Sequence, residues 1–181
     1  MSNNAANQGI TDFFRVAQIR DFTRNHNFRV QSMVGTGLPN VHTDDLVYAE
    51  TANLPGRNIT NIPTPYMGLD FNLPGLAKYP GSDAYNITFR ADGENIIRQL
   101  FEDWTRHIFQ DVGKSSGDYK MREGNVITLA LLRQNGKILR QYKLVGAYPT
   151  SCGELAFDMK GNGEVVSFQA TIAYQYWELK V

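Results

Sequence analysis

The chain has 181 residues, 42% hydrophobic and 12% aromatic, with 18 basic residues set against 18 acidic ones. Its length and apolar content suit one domain with a sizeable core, and its zero formal net charge gives no electrostatic case for wrapping nucleic acid, which needs clustered Lys and Arg. The single cysteine, Cys152, rules out an internal disulfide framework and a multi-cysteine metal site, and points to a reducing compartment.

Residues 1–27 read as an N-terminal arm. Ser2 to Gln8 is polar and expected to be mobile. Residues 11–22 are able to form a short helix, with Phe13, Phe14, Ala17 and Ile19 as apolar contacts. No basic region followed by an apolar run marks a signal peptide, and no stretch approaches the ~20 apolar residues of a membrane span. Residues 28–181 read as a single domain. Its first strand is expected over 28–34, ended by Gly35-Thr36-Gly37. Residues 38–81 then hold six of the seven prolines. Proline lacks the N–H that a ladder needs, so short strands near 45–52, 57–62 and 69–73, joined by rigid loops, are expected in place of long ones. A Pro-rich connection of this length is either an interface element or a packed surface loop.

In residues 83–92, Tyr85, Ile87 and Phe89 alternate with Asn86, Thr88 and Arg90, the period of a half-buried strand. Asp92 is placed to cap a helix over 94–110. Ile97, Leu100, Phe101, Trp104 and Ile108 form its apolar stripe. Glu102 and Arg106 are spaced for an i,i+4 ion pair, and residues 113–117 close the helix. Residues 126–132 are nearly all apolar and read as a strand covered on both faces. Asn135-Gly136 is a strong two-residue hairpin signal leading to a second strand over 138–145. Arg133, Lys137, Arg140 and Lys143 make this hairpin basic; a solvated hairpin is favoured over a nucleic-acid contact, because few aromatics accompany it.

Near the C-terminus, Leu155, Phe157 and Met159 alternate with charged neighbours, and Gly161-Asn162-Gly163 suits a tight turn. The return strand would carry Phe168, Ala170, Ile172, Tyr174 and Tyr176 on one face over roughly a dozen residues, longer than the usual ~5–6. An edge that long must be paired, within the chain or by a sheet that crosses between subunits. The sum is a mainly β chain: an antiparallel sandwich or barrel with one amphipathic α-helix.

No chemistry stands out. His26, His42 and His107 are scattered and fit no metal-ligand spacing. Cys152 has no local activating group and reads as an inert, buried thiol. Gly161-Asn162-Gly163 lies in a hairpin rather than before a helix, so it is no phosphate cradle. Asp44-Asp45 and Glu102-Asp103 are neighbours in sequence, and i,i+1 residues share no face on a helix or a strand. No enzyme activity, metal or cofactor is expected.

Three segments carry a resemblance. They are Leu54-Pro55-Gly56-Arg57-Asn58-Ile59, the midchain helix with its Asp103-Trp104, and the block from Gly146-Ala147-Tyr148-Pro149-Thr150-Ser151-Cys152-Gly153-Glu154-Leu155 to Tyr174-Gln175-Tyr176-Trp177-Glu178. In order and spacing they resemble the tail tube proteins of contractile-tailed, myovirus-type bacteriophages. The resemblance implies a structural virion protein made in the host cytoplasm. It implies six subunits per ring, with strands joined into an intersubunit β-barrel, and rings stacked into a hollow tube inside a contractile sheath. The implied partners are other copies of the chain, the sheath protein, a baseplate tube-initiator protein, a tail terminator, the tape-measure protein, and DNA passing through the lumen without sequence-specific binding. No membrane partner is implied. Interface residues expected from the proline-rich segment are Leu54, Pro55, Arg57, Asn58, Asn61 and Tyr66. Alternatives are a baseplate initiator, a tube subunit of a secretion or phage-like injection system and, from a different class, a monomeric β-barrel carrier of a small apolar ligand.

Overall fold

The computed structural model describes residues 4–20, 22–38, 41–110, 112, 113, 117 and 123–180, with side chains from residue 9 onward. The expected closing segment of the midchain helix at 114–116, and Pro39, lie outside the described residues. Ten strands and two α-helices are described, together with one 3₁₀ turn at Asp45–Tyr48. The strands are β1 (Phe28–Val34), β2 (Ala49–Ala52), β3 (Asn58–Tyr66), β4 (Leu69–Lys78), β5 (Tyr85–Arg90), β6 (Val126–Leu132), β7 (Ile138–Val145), β8 (Tyr148–Cys152), β9 (Ser167–Ala173) and β10 (Tyr176–Lys180). The helices are α1 (Asn4–Ile19) and α2 (Ile96–Ile108).

Two four-stranded antiparallel sheets, in the orders β1-β6-β7-β10 and β2-β5-β9-β8, enclose the core, and β3 and β4 form a separate two-stranded sheet. The alternation of β5 comes out as expected, with Tyr85, Ile87 and Phe89 buried. They face Phe168, Ala170 and Ile172 of β9 and meet Val30, Ile127, Leu129 and Leu144 of the first sheet in one apolar cluster. The mainly β, antiparallel expectation holds. Among the described residues neither sheet closes into a barrel.

Helix α2 closes the core against β8. Both carboxylate oxygens of Asp92 accept from its first turn, from Ile96 N–H at 3.0 Å and Ile97 N–H at 3.4 Å. The buried stripe is Ile97, Phe101 and Trp104. Phe101 lies 5.3 Å from the Phe89 ring and 6.1 Å from that of Phe168. Trp104 is 0% exposed, and a Cβ at Gly35 would stand 2.8 Å from its ring. Only glycine therefore lets the end of β1 pass this close to the indole. The expected Glu102–Arg106 pair is not made. Glu102 instead pairs with Arg98 at 2.8 Å, and Arg106 with Asp103 at 3.7 Å. The reason lies across the helix: Arg98 also donates to the Gly153 carbonyl and sits over the Phe168 ring, so this partly buried, fixed cation competes for Glu102 better than the exposed Arg106 does.

The C-terminal hairpin is a correction. Residues 154–160 form no strand, and Phe157 and Met159 are 80% and 106% exposed. Asp158 accepts from Lys160 N–H at 2.9 Å and turns the chain before a ladder can extend, because a short acidic side chain competes with the strand for its own backbone. The partner of β9 is instead β8, ending where Gly153 N–H donates to Gln169. The dozen-residue return strand also divides. At Tyr174 and Gln175 the backbone N–H groups donate to Ser82 and Val145, and the chain crosses from one sheet to the other as β9 and β10. The N-terminal helix is longer than expected, beginning at Asn4 within the arm read as mobile.

The proline-rich middle is the largest departure. Instead of short strands and loops it forms a ribbon of nine and ten residues, β3 and β4. Pro63, Pro65 and Pro74 face Asn72, Asp70 and Asn61 across the pair. All three sit on one register parity, where the missing N–H would point away from the partner strand. The ladder is untouched and the outer edge of β3 loses two donors.

Trp104 fills the junction of α2 with both sheets. Trp104→Ala is expected to lower unfolding stability by about 3–5 kcal/mol in a urea titration, and Trp104→Phe by clearly less, since it keeps most of the contact and drops an indole N–H that has no partner among the described residues.

Candidate assembly surface

The ribbon β3–β4 is amphipathic across its two faces. One face carries Ile62 opposite Leu73, Thr64 opposite Phe71, and Tyr66 opposite Leu69. The other carries Asn61 opposite Pro74, Pro63 opposite Asn72, and Pro65 opposite Asp70. The apolar row should be the buried one, yet Ile62, Tyr66, Leu69, Phe71 and Leu73 are 49–66% exposed. Met67 and Gly68, both at positive φ (50° and 78°), make the two-residue turn at its tip, as a hairpin of this length needs. Near the base a register shift between Ile59 and Asn61 places Thr60, whose hydroxyl donates to Leu76 O and accepts from Leu76 N–H. A Cβ at Gly75 would stand 2.7 Å from that hydroxyl, so the bulge requires glycine.

The base of the ribbon is anchored to the sandwich. Trp177 donates to the Gly56 carbonyl at 2.9 Å, Tyr85 donates to Asn53 O, and the Tyr79 ring meets Trp177 edge-on at 6.5 Å. Burial, with Tyr174 beside it, pushes the Tyr85 phenol far above its ordinary range, the bond to Asn53 opposing this only in part. This hydroxyl stays a donor at any physiological pH.

The expected interface residues fall in three places. Leu54 and Pro55 lie in the link before β3, Leu54 exposed and Pro55 half-buried. Arg57 and Asn58 lie exposed at the ribbon base. Asn61 and Tyr66 are on opposite faces of the ribbon, so no flat partner meets both. Ile62, Leu69, Phe71 and Leu73, which carry most of the apolar face, were missed. Their signal was the alternation Leu69, Phe71, Leu73, obscured by reading Pro74 as a strand terminator.

Other candidates are placed as follows. Cys152 is half-buried and desolvation pushes its thiol up, against the pull of Arg98, which makes it a poor nucleophile. Glu102 and Asp103 face separate arginines. Among the described residues no group of three or more His, Cys, Asp or Glu could hold a metal. His107 packs its ring against Gly37, where a Cβ would come within 2.1 Å. The basic hairpin does not make one patch. Arg133 and Lys137 bracket the turn, Lys143 lies opposite Thr128, and Arg140 lies opposite Leu131 on the other register parity. An apolar cavity between β1, the 3₁₀ turn and α2, lined by Met33, Leu46, Ile97 and Phe101, encloses about 10 Å³, about the room of a single water. It has no room for a carried ligand.

A family model described as phage tail tube protein matches residues 21–180. The chain belongs to the phage tail tube protein family. It is 25% identical to the tail tube protein gp19 of Enterobacteria phage T4 over 174 residues, covering 93% of this chain and 99% of that one. The tail tube protein of Serratia phage KSP90 is 24% identical over 131 residues, 72% of each chain. Among solved structures, a chain of the anti-feeding prophage baseplate, 6-fold symmetrised, shares the fold at TM-score 0.61 and 11% identity, covering 89% of this chain and 97% of its own. A chain of the sheath-tube complex of the extracellular contractile injection system PVC does so at TM-score 0.53 and 18% identity, covering 92% and 96%. The chain is thus a tail tube subunit, a virion component of a structural family.

Because the apolar ribbon face touches little within its own chain, Phe71→Asp is expected to leave the urea midpoint of the unassembled protein nearly unchanged, within about 0.5 kcal/mol. The same change should prevent the protein from forming large species in sedimentation velocity. A large loss of stability with assembly intact would show that Phe71 packs within its own chain.

Proposed function

We propose that six copies of this chain form a ring, that rings stack into a hollow tube within a contractile sheath, and that DNA and the tape-measure protein pass through its lumen. One observation carries this reading: a ribbon of 21 residues (Asn58 to Lys78) projects from a finished sandwich with an apolar face that its own chain leaves in solvent. Two-stranded ribbons are marginal alone, and an exposed apolar face of this kind marks a protein contact. Leu54, Pro55, Arg57 and Asn58 would meet a neighbouring subunit at the base, and Tyr66 and Asn61, on opposite faces of the arm, would meet different neighbours. The proline-fixed backbone would lower the entropy cost of locking it.

Six-fold symmetry is supported by the 6-fold symmetrised baseplate relative, and a sheath partner by the sheath-tube relative. A terminator is supported by a further fold neighbour in a tube-terminating cap. A baseplate initiator would nucleate the tube and a terminator would end it. Closure of the sheets around the ring would remove their free edges. Equal numbers of acidic and basic residues leave the ring with no net charge to hold a polyanion, which suits a conduit. Nothing in the site calls for catalysis, and we assign none.

Negative-stain electron microscopy of the concentrated protein tests this. Hollow tubes of uniform width with six-fold end-on views are expected. Monomers at high concentration, unchanged by addition of a baseplate seed, would overturn the reading.

A further inference from the structure

The structure carries a second uncovered apolar surface. On α1, Ile10, Phe13, Phe14 and Ala17 follow i, i+3, i+4, i+7 and form one stripe. Ile10, Phe13 and Phe14 are 58%, 58% and 60% exposed, while the Asp12–Arg15 ion pair, at 3.2 Å, lies on the other side. A helix of this kind gains most of its stability from packing its apolar face, and here the sandwich does not supply that packing.

The two uncovered arms leave the molecule at opposite ends. The tether of α1 enters β1 at Phe28, which pairs with Leu131 beside the β6–β7 turn, and Asn27 O accepts from Leu132 N–H. The ribbon base is held at Gly56 by Trp177, which pairs with Leu144 at the far end of β7. One sheet length therefore separates the two points of departure. The surfaces also match in size. The α1 stripe from residue 10 to 17 runs about 11 Å, and the ribbon row from Ile62 to Tyr66 about 13 Å.

We propose that α1 of one copy lays its stripe on the apolar face of the β3–β4 ribbon of the copy in the next ring. The contact is heterologous: a surface at one end of the chain meets a different surface at the other end of its neighbour. Repeated by a shift along an axis, such a contact propagates without limit, which is what a tube of many rings needs. It covers with one interaction two faces that each chain leaves open. It also gives a function to residues 4–19, which precede the 21–180 segment matched by the family model. The proposal rests on the stacked-tube reading.

The test uses the full chain with Cys152→Ser, in two forms, one carrying Ala17→Cys and one Leu73→Cys. The forms are mixed, assembled and oxidised, then run on a non-reducing gel. A cross-linked dimer is expected from the mixture and from neither form alone. Tubes that form without this dimer, or dimers from the Ala17→Cys form by itself, would overturn the docking and leave the tube reading intact. No tubes from the unmodified chain run in parallel would overturn both. Deletion of residues 1–20 is an independent readout: rings should persist, with the concentration needed for stacking raised at least tenfold. Tubes from the truncated chain at the unmodified concentration would overturn the proposal.

Discussion

A two-stranded ribbon has two faces and no interior. Whatever apolar surface it carries must be covered by something else. In this chain the sandwich is complete without the ribbon: Phe89, Phe168, Trp104, Ile87 and Ile172 are fully buried between the two sheets and α2. Ile62, Phe71 and Leu73 contribute nothing to that core. The molecule thus separates into a body that folds by its own packing and arms whose apolar atoms its own chain leaves exposed. That division is what a subunit of a polymer requires, since the free subunit must remain folded before it assembles.

The prolines serve this division. Within the ribbon they occupy positions whose N–H would point outward, so the β3–β4 ladder keeps its bonds while its outer edge cannot act as a template for stray strands. The ribbon therefore presents its face and not its edge, and face contacts can be specific in side-chain chemistry. The anchors at its base, Trp177 to Gly56 and Tyr85 to Asn53, fix the direction in which that face is offered.

Much of this fold is readable from periodicity. Strands β1, β6 and β7 fall at 28–34, 126–132 and 138–145 as expected, although the turn between β6 and β7 takes three residues, 134–136, where Asn135-Gly136 suggested two. Asp92 caps α2, whose stripe of Ile97, Phe101 and Trp104 is the one that packs. The failures share a cause. Glu154 to Lys160 has strand periodicity, but Asp158 bonds to the backbone two residues on, and that local capture defeats the pattern. The dozen-residue C-terminal strand has continuous alternation, but its break at Tyr174 and Gln175 is set by partners in distant segments, Ser82 and Val145. Pattern records which side chains want to be buried; it does not record where a strand changes sheets. Of the apolar ribbon face, the proline-rich context marked Tyr66, whereas Phe71 and Leu73 needed the register of β3 on β4 to show that they share a face with it.

Amide hydrogen exchange tests the central claim most directly, comparing residues 58–78 in the dispersed protein and in assembled tubes. If neighbouring copies cover the apolar ribbon face, these amides should exchange quickly when dispersed and slow by at least tenfold on assembly, while β5 and β9 are protected in both states. Exchange across 58–78 that is as fast in the tube as in the free subunit would contradict the account, because the ribbon would then remain uncovered in the polymer it is held to build.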